Sequence, residues 1–174
     1  MQQIIQSERL RLRPTSIQDA SFLLDLFNEP DFLNYVGDRK VRTLADAEAY
    51  ILSAPAFAPQ FNGVGYSVVE LRRTREQVGI CGLLKRDALD AVDVGYAVLR
   101  RHRGKGYASE ALDAVLNYAR EELGTHPLFA FTAPENAGSR RLLEKAGLTF
   151  QSMRLVPGYN SEVCLYSDVG QQND

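Results

Sequence analysis

A chain of 174 residues, 45% apolar and 24% charged, is long enough to bury a core without disulfides or a structural metal, and it reads as a single domain over 1–174. Its net charge of −2 excludes a general nucleic-acid binder, and its lack of any apolar run of spanning length excludes an integral membrane protein. Two histidines and two cysteines with no pair at ligand spacing leave no dedicated metal site, and a first segment without a signal-peptide pattern points to the cytoplasm.

Leu10 and Leu12 alternate with Arg9, Arg11 and Arg13 ahead of Pro14, which predicts a short strand with one charged face. Ser16 and Asp19 stand at capping-box spacing, and Phe22, Leu23, Leu26 and Phe27 give the following helix its apolar face, ending near Glu29-Pro30. A short helical piece follows over 31–35. Thr43 with Asp46 caps a third helix whose inward residues are expected at Leu44, Ala47, Ile51 and Leu52. Residues 53–65, with Pro55, Pro59, Gly63 and Gly65, read as a loop.

Alternating, β-branched stretches over 66–71 and 77–84 flank a charged turn and predict an antiparallel hairpin. A further strand covers 91–98, where Gly95 marks a bulge or a close approach to its backbone by something else. Leu112, Val115, Leu116, Ala119 and Leu123 share one face of a helix that Gly124 stops. A strand over 128–132 leads through Pro134-Glu135 to Asn136, a helix cap. Leu142, Leu143 and Ala146 then face the core before Gly147. Strands over 149–156 and 162–167 close the fold, and a polar tail begins at about 169. Cys81 and Cys164 lie in apolar strand surroundings and read as buried free thiols.

The stretch 101–108, Arg-His-Arg-Gly-Lys-Gly-Tyr-Ala, joins a strand to a helix. Two glycines one residue apart let backbone approach a ligand and adopt positive φ, and the N–H groups of the first helical turn are unpaired. The helix dipole together with Arg100, Arg101, Arg103 and Lys105 makes this an anion cradle, unless it is only a solvated basic turn. The spacing lacks the longer glycine interval and Lys-Ser/Thr pair of a P-loop.

With Arg101-x-x-Gly104-x-Gly106-x-Ala108 at a strand-to-helix junction, the element order resembles the GNAT superfamily of acyl-CoA-dependent N-acetyltransferases. Residues 7–13 (Ser-Glu-Arg-Leu-Arg-Leu-Arg), Asp93-Val94-Gly95-Tyr96 and Pro134-Glu135-Asn136-x-x-Ser139 look like its RimJ/RimL branch of ribosomal-protein N-terminal acetyltransferases, and Glu144-Lys145-x-Gly147 closes the late helix in the same way.

The resemblance implies an α/β (α+β) fold with a mixed, mostly antiparallel central sheet of six to seven strands flanked by helices, its fourth and fifth strands splayed at Gly95. It also implies that acetyl-CoA is the cosubstrate. The backbone of Arg103, Gly104, Lys105, Gly106, Tyr107 and Ala108 would hold its pyrophosphate, the strand edge at Tyr96, Ala97 and Val98 its pantetheine arm, and Asn136 and Ser139 the opposite wall. The acceptor it implies is a primary amine, a protein N-terminus or a small molecule, met by a monomer or homodimer. A CoA-binding module without turnover is the alternative.

For the chemistry, Ser139 and Tyr96 are candidate proton donors to the departing thiolate. Asp93 stands where the branch often has Glu and is either a base acting through water or an arginine partner in a strand. Glu110 reads as a first-turn acid suited to the dipole, and His102 as exposed or near phosphate. Tyr35, Tyr50, Tyr66 and Tyr159 are candidates to line the acceptor cleft.

Overall fold

Alternation along the strands sets the architecture. A computed structural model describes residues 4–57, 64–86, 91–157, 159 and 161–169. The elements in chain order are β1 (Ile5–Gln6), β2 (Leu10–Pro14), α1 (Ala20–Phe27), α2 (Pro30–Tyr35), α3 (Leu44–Ser53), β3 (Gly65–Leu71), β4 (Gln77–Lys85), β5 (Val92–Val98), α4 (Tyr107–Glu121), β6 (Leu128–Thr132), α5 (Ala137–Lys145), β7 (Thr149–Arg154) and β8 (Val163–Ser167). They build one sheet in the order β1-β2-β3-β4-β5-β6-β8-β7. All pairings are antiparallel except β5 with β6.

The sheet has eight strands, not six to seven. The addition is β1, which pairs Ile5 with Leu12 and Gln6 with Arg11 and is too short to display a period of two. The expected polar tail lies, apart from Val169, outside the described residues, as does much of the expected loop at 53–65. Among the described residues no helix is long and apolar enough to cross a membrane. Cys81 and Cys164 are buried and free, and burial pushes the Cys81 thiol up.

One face of the sheet carries Val69, Cys81, Leu83 and Val94 against Leu112, Val115, Leu116 and Ala119 of α4. The other carries Val68 and Ile80 against Leu23, Leu26 and Phe27 of α1 and Ala47 and Ile51 of α3. Leu44 and Leu52, expected to face inward, are instead 50% and 71% exposed. The short α3 buries only a narrow stripe, and Leu44 sits at its first turn, beyond that contact.

Gly95 is not at a bulge. The β4–β5 register runs without a shift from Gly79↔Val98 to Lys85↔Val92. A Cβ at Gly95 would collide with the Tyr66 hydroxyl and ring, so the close approach to its backbone, the other expectation there, is made by a side chain. The parallel β5–β6 pairing covers only Val92↔Leu128 and Asp93↔Phe129, after which the two strands part. The parting therefore begins two residues before Gly95, and β5 beyond it has no β6 partner.

A buried ion network ties the first helical turn to the sheet. Asp19 receives Arg13 Nη1 and Nη2 at 2.8 and 2.7 Å and the Ser16 backbone N–H at 2.8 Å. Arg13 also reaches Glu70 at 2.5 Å. Burial alone would raise the Asp19 carboxyl, but the bonds from Arg13 and Ser16 outweigh it and hold the group below its ordinary 3.8. A depressed folded pKa means that its stabilisation is complete above 3.8 and disappears as pH falls through the lowered value. Asp19→Ala, which leaves Arg13 with Glu70 as its remaining acidic partner, is expected to lower unfolding free energy by about 3 kcal/mol at pH 7 and by progressively less as pH falls below 3.8, read by urea denaturation.

Candidate active site

From β5 the chain passes through a 3₁₀ turn at Arg100–His102 into Gly104 (φ +73°), Gly106 (φ +82°) and α4. A Cβ on Gly104 would meet nothing within 4 Å, so crowding does not require glycine there. Its left-handed backbone does, and so would a ligand lying against it. The loop is fastened from outside. Arg9 Nη1 donates to the Lys105 carbonyl at 2.9 Å, its Nε to Glu110 at 2.7 Å, and its guanidinium lies 4.8 Å from the centre of the Tyr107 ring. The Arg9 backbone N–H and the Ser7 hydroxyl complete the set on Glu110, both at 2.7 Å. Burial acts to raise Glu110, but these bonds hold it below the usual carboxylate range. Glu110 is thus a fastening for the loop.

Two basic residues of the cradle behave differently from their reading in sequence. Arg103 turns toward α2, donating to the Val98 carbonyl at 2.9 Å and pairing with Glu29 at 3.1 Å and with Asp31, so its charge is already engaged. His102 is not exposed: only 5% of it is accessible, and burial lowers its imidazole pKa. Its Nε2 lies 3.1 Å from Glu76 without the alignment of a hydrogen bond.

Where β5 and β6 part, a cleft of about 590 Å³ opens beside the cradle. Of the residues assigned in the sequence to the cradle backbone, the strand edge, the opposite wall and proton transfer, all but Lys105 line it; Lys105 serves through its carbonyl on Arg9. The strand alternation gives the cleft two sides. Tyr96 points to the α4 side, where its hydroxyl lies 2.7 Å from Ser139 Oγ on α5. Asn136 caps α5 by accepting the Ser139 backbone N–H at 3.1 Å, which fixes the first turn that presents Ser139. Burial pushes the Tyr96 phenol up, so this pair stays protonated at neutral pH.

Asp93 and Gly95 point to the other side, toward α1 and α3. Asp93 is 2% exposed and receives Arg86 Nε at 2.8 Å and Nη2 at 3.2 Å. Burial raises the Asp93 carboxyl, with Arg86 opposing. The Arg86 guanidinium lies 5.8 Å from the centre of the Phe131 ring. Arg86 went unnoticed in the sequence, though the hairpin register does bring the end of β4 beside Asp93. Of the four tyrosines considered, Tyr35, Tyr66 and Tyr159 line the cleft, whereas Tyr50 packs on Phe27 and Phe57.

A sequence profile described as the acetyltransferase (GNAT) domain matches residues 9–149. The chain belongs to the GNAT acetyltransferase family. Among relatives of this GNAT enzyme, the uncharacterized N-acetyltransferase p20 of Bacillus licheniformis is 29% identical over 154 residues, 88% of this chain and 85% of its own. A solved acetyltransferase from Agrobacterium tumefaciens is 26% identical with a TM-score of 0.77, covering 95% of this chain and 93% of that one. RimL, a ribosomal alpha-N-protein acetyltransferase solved with coenzyme A, shares the fold at a TM-score of 0.76 and 15% identity, with 95% of this chain and 97% of that chain covered.

Proposed function

We propose that this GNAT enzyme moves an acetyl group from acetyl-CoA to a primary amine by direct attack, and that the amine is an N-terminal α-amine of the kind used by the RimJ/RimL branch or that of a small molecule. The observation that carries this reading is the cleft at the parting of β5 and β6, with a left-handed glycine pair at one end and opposed polar pairs on its two sides. The fit to the donor rests on two features. A Cβ at Gly104 would project into open space that a pyrophosphate can take, and β5 beyond Asp93 has an edge that β6 leaves free for amide pairing. RimL, which shares the fold, is by its description an alpha-N-protein acetyltransferase bound to coenzyme A.

Acetyl-CoA supplies an acyl thioester when bound. The residues of this chain do the rest. Gly104, Gly106, Tyr107 and Ala108 present backbone N–H groups of the cradle, and Arg103 shapes its approach while tied to Glu29 and Asp31. Ala97 and Val98 offer the strand edge, with Asn136 and Ser139 opposite. On the α4 side the Tyr96–Ser139 hydroxyl pair donates a proton to the leaving sulfur. On the α1 side both oxygens of Asp93 accept from Arg86, so we assign Asp93 to holding Arg86 and to an electrostatic role, with the surplus amine proton passing to water. Such a site suits an α-amine of pKa ~8, which is about a fifth neutral at pH 7.4, better than a lysine near ~10.4, which is about 0.1% neutral.

Ser139→Ala is expected to lower kcat by about tenfold or more, with coenzyme A affinity nearly unchanged, in an assay of acetyl transfer to peptide α-amines and small amines. Adding Tyr96→Phe should cost little further, because the two hydroxyls act as one unit. Binding of acetyl-CoA by the wild-type chain with transfer to no amine would instead favour a CoA-binding module.

A further inference from the structure

Tyr66, the second residue of β3, is in register with Gly82 of β4, and Gly82 is in register with Gly95 of β5. The three residues form one row across the sheet on the face toward α1 and α3. A Cβ at Gly82 would strike the backbone of Gly65 and Tyr66, and a Cβ at Gly95 would strike the Tyr66 hydroxyl and ring. Gly82 is therefore vacated for the neighbouring β3 backbone, and Gly95 for the ring and hydroxyl of Tyr66. Its hydroxyl arrives over Gly95, just past the last β5–β6 pair at Asp93↔Phe129. Phe57, 5.4 Å from the ring centre, holds the ring from outside the cleft.

Tyr66 lines the cleft, and among the described residues its hydroxyl makes no hydrogen bond; only its carbonyl is engaged, by Thr15. A ring serving packing alone would not need its oxygen placed over a vacated Cα at the parting of the strands. We propose that Tyr66 is an amine-positioning residue of the acetyl transfer, its hydroxyl oxygen accepting a hydrogen bond from one N–H of the incoming neutral amine. This rests on the function proposed above.

The arithmetic of the nitrogen permits it. A neutral primary amine has two N–H donors and one lone pair, so giving one N–H to Tyr66 leaves the lone pair for the carbonyl carbon. The C–N bond then forms, the C–S bond breaks, water takes the nitrogen's surplus proton, and the Tyr96–Ser139 pair protonates the sulfur and regains its proton from solvent. Burial pushes the Tyr66 phenol up, so it remains a neutral hydroxyl throughout and is not the base. Tyr66 and the Tyr96–Ser139 pair then sit on opposite faces of β5, one toward the nucleophile and one toward the leaving group.

The test is steady-state kinetics of the full chain with acetyl-CoA and a panel of peptide α-amines and alkylamines. Tyr66→Phe keeps the ring and its contact with Phe57. It is expected to lower kcat/KM for the amine about tenfold, evenly across pH 6–9, with KM for acetyl-CoA and Tm unchanged. Gly95→Ala, which pushes the hydroxyl off its row, should give a similar loss in the wild type and a much smaller one in the Tyr66→Phe background. Equal amine kinetics in wild type and Tyr66→Phe would overturn the inference alone. A loss matched by weaker acetyl-CoA binding would also overturn it. A wild-type chain that acetylates no amine would overturn the proposed function and this inference with it.

Discussion

Gly106→Val is expected to weaken acetyl-CoA binding by at least about 100-fold, the cost of losing two charge-assisted hydrogen bonds to phosphate. The backbone at Gly106 is left-handed, at φ +82°, and a β-branched residue is strained there. A Cβ would also stand 3.2 Å from the Arg9 guanidinium that fastens the loop. The N–H groups of the first α4 turn would then lose their common aim. Calorimetric titration with coenzyme A reads the effect directly. A variant that binds within tenfold of wild type would show that the pyrophosphate lies elsewhere. Gly104→Ala supplies the contrast: its Cβ meets no protein atom, so any loss of affinity beyond the small effect of the strain reports crowding against the ligand.

Arg86→Ala should be the most destabilising change in the cleft. It leaves the Asp93 carboxylate, 2% exposed, without the guanidinium that holds both its oxygens, at a cost of about 3–5 kcal/mol. Burial already raises the Asp93 carboxyl above its ordinary 3.8, and removing Arg86 raises it further. For an acid whose folded pKa is raised, the folded state holds the proton more tightly. Stability therefore falls as pH rises above 3.8, and the deficit of the variant shrinks toward acid. Asp93→Asn should cost less, because Arg86 is 29% exposed and can turn to water. Denaturant unfolding at pH 7 and pH 5 decides. Equal deficits at the two pH values, or a greater loss in Asp93→Asn, would contradict this account.

What could be read in the sequence was what is written in neighbouring residues. The glycine pair with its basic run, the capping patterns at Thr43 and Asn136 and the apolar face of α4 all lie within one or two turns of chain, and the structure shows each in place. The remainder depends on distant partners. Glu110 looks like an ordinary first-turn acid until Ser7 and Arg9 arrive from more than a hundred residues away. Four basic residues around the cradle suggest four free charges, but Arg103 is engaged by Glu29 and Asp31 on an unrelated helix. Gly95 announces a vacancy, yet which group fills it depends on the register of three strands. Leu44 and Leu52 satisfy the helical period, but α3 meets the core along too thin a line to cover them.

The clasp between Arg9 and Glu110 spans 101 residues of sequence and fastens a loop bent through two left-handed glycines. The cradle is therefore not a transferable module. A peptide carrying the 3₁₀ turn, the two glycines and all of α4 would contain every residue of the motif and still lack the guanidinium that closes it, so grafting the motif into another scaffold requires carrying a strand from the opposite end of the chain with it.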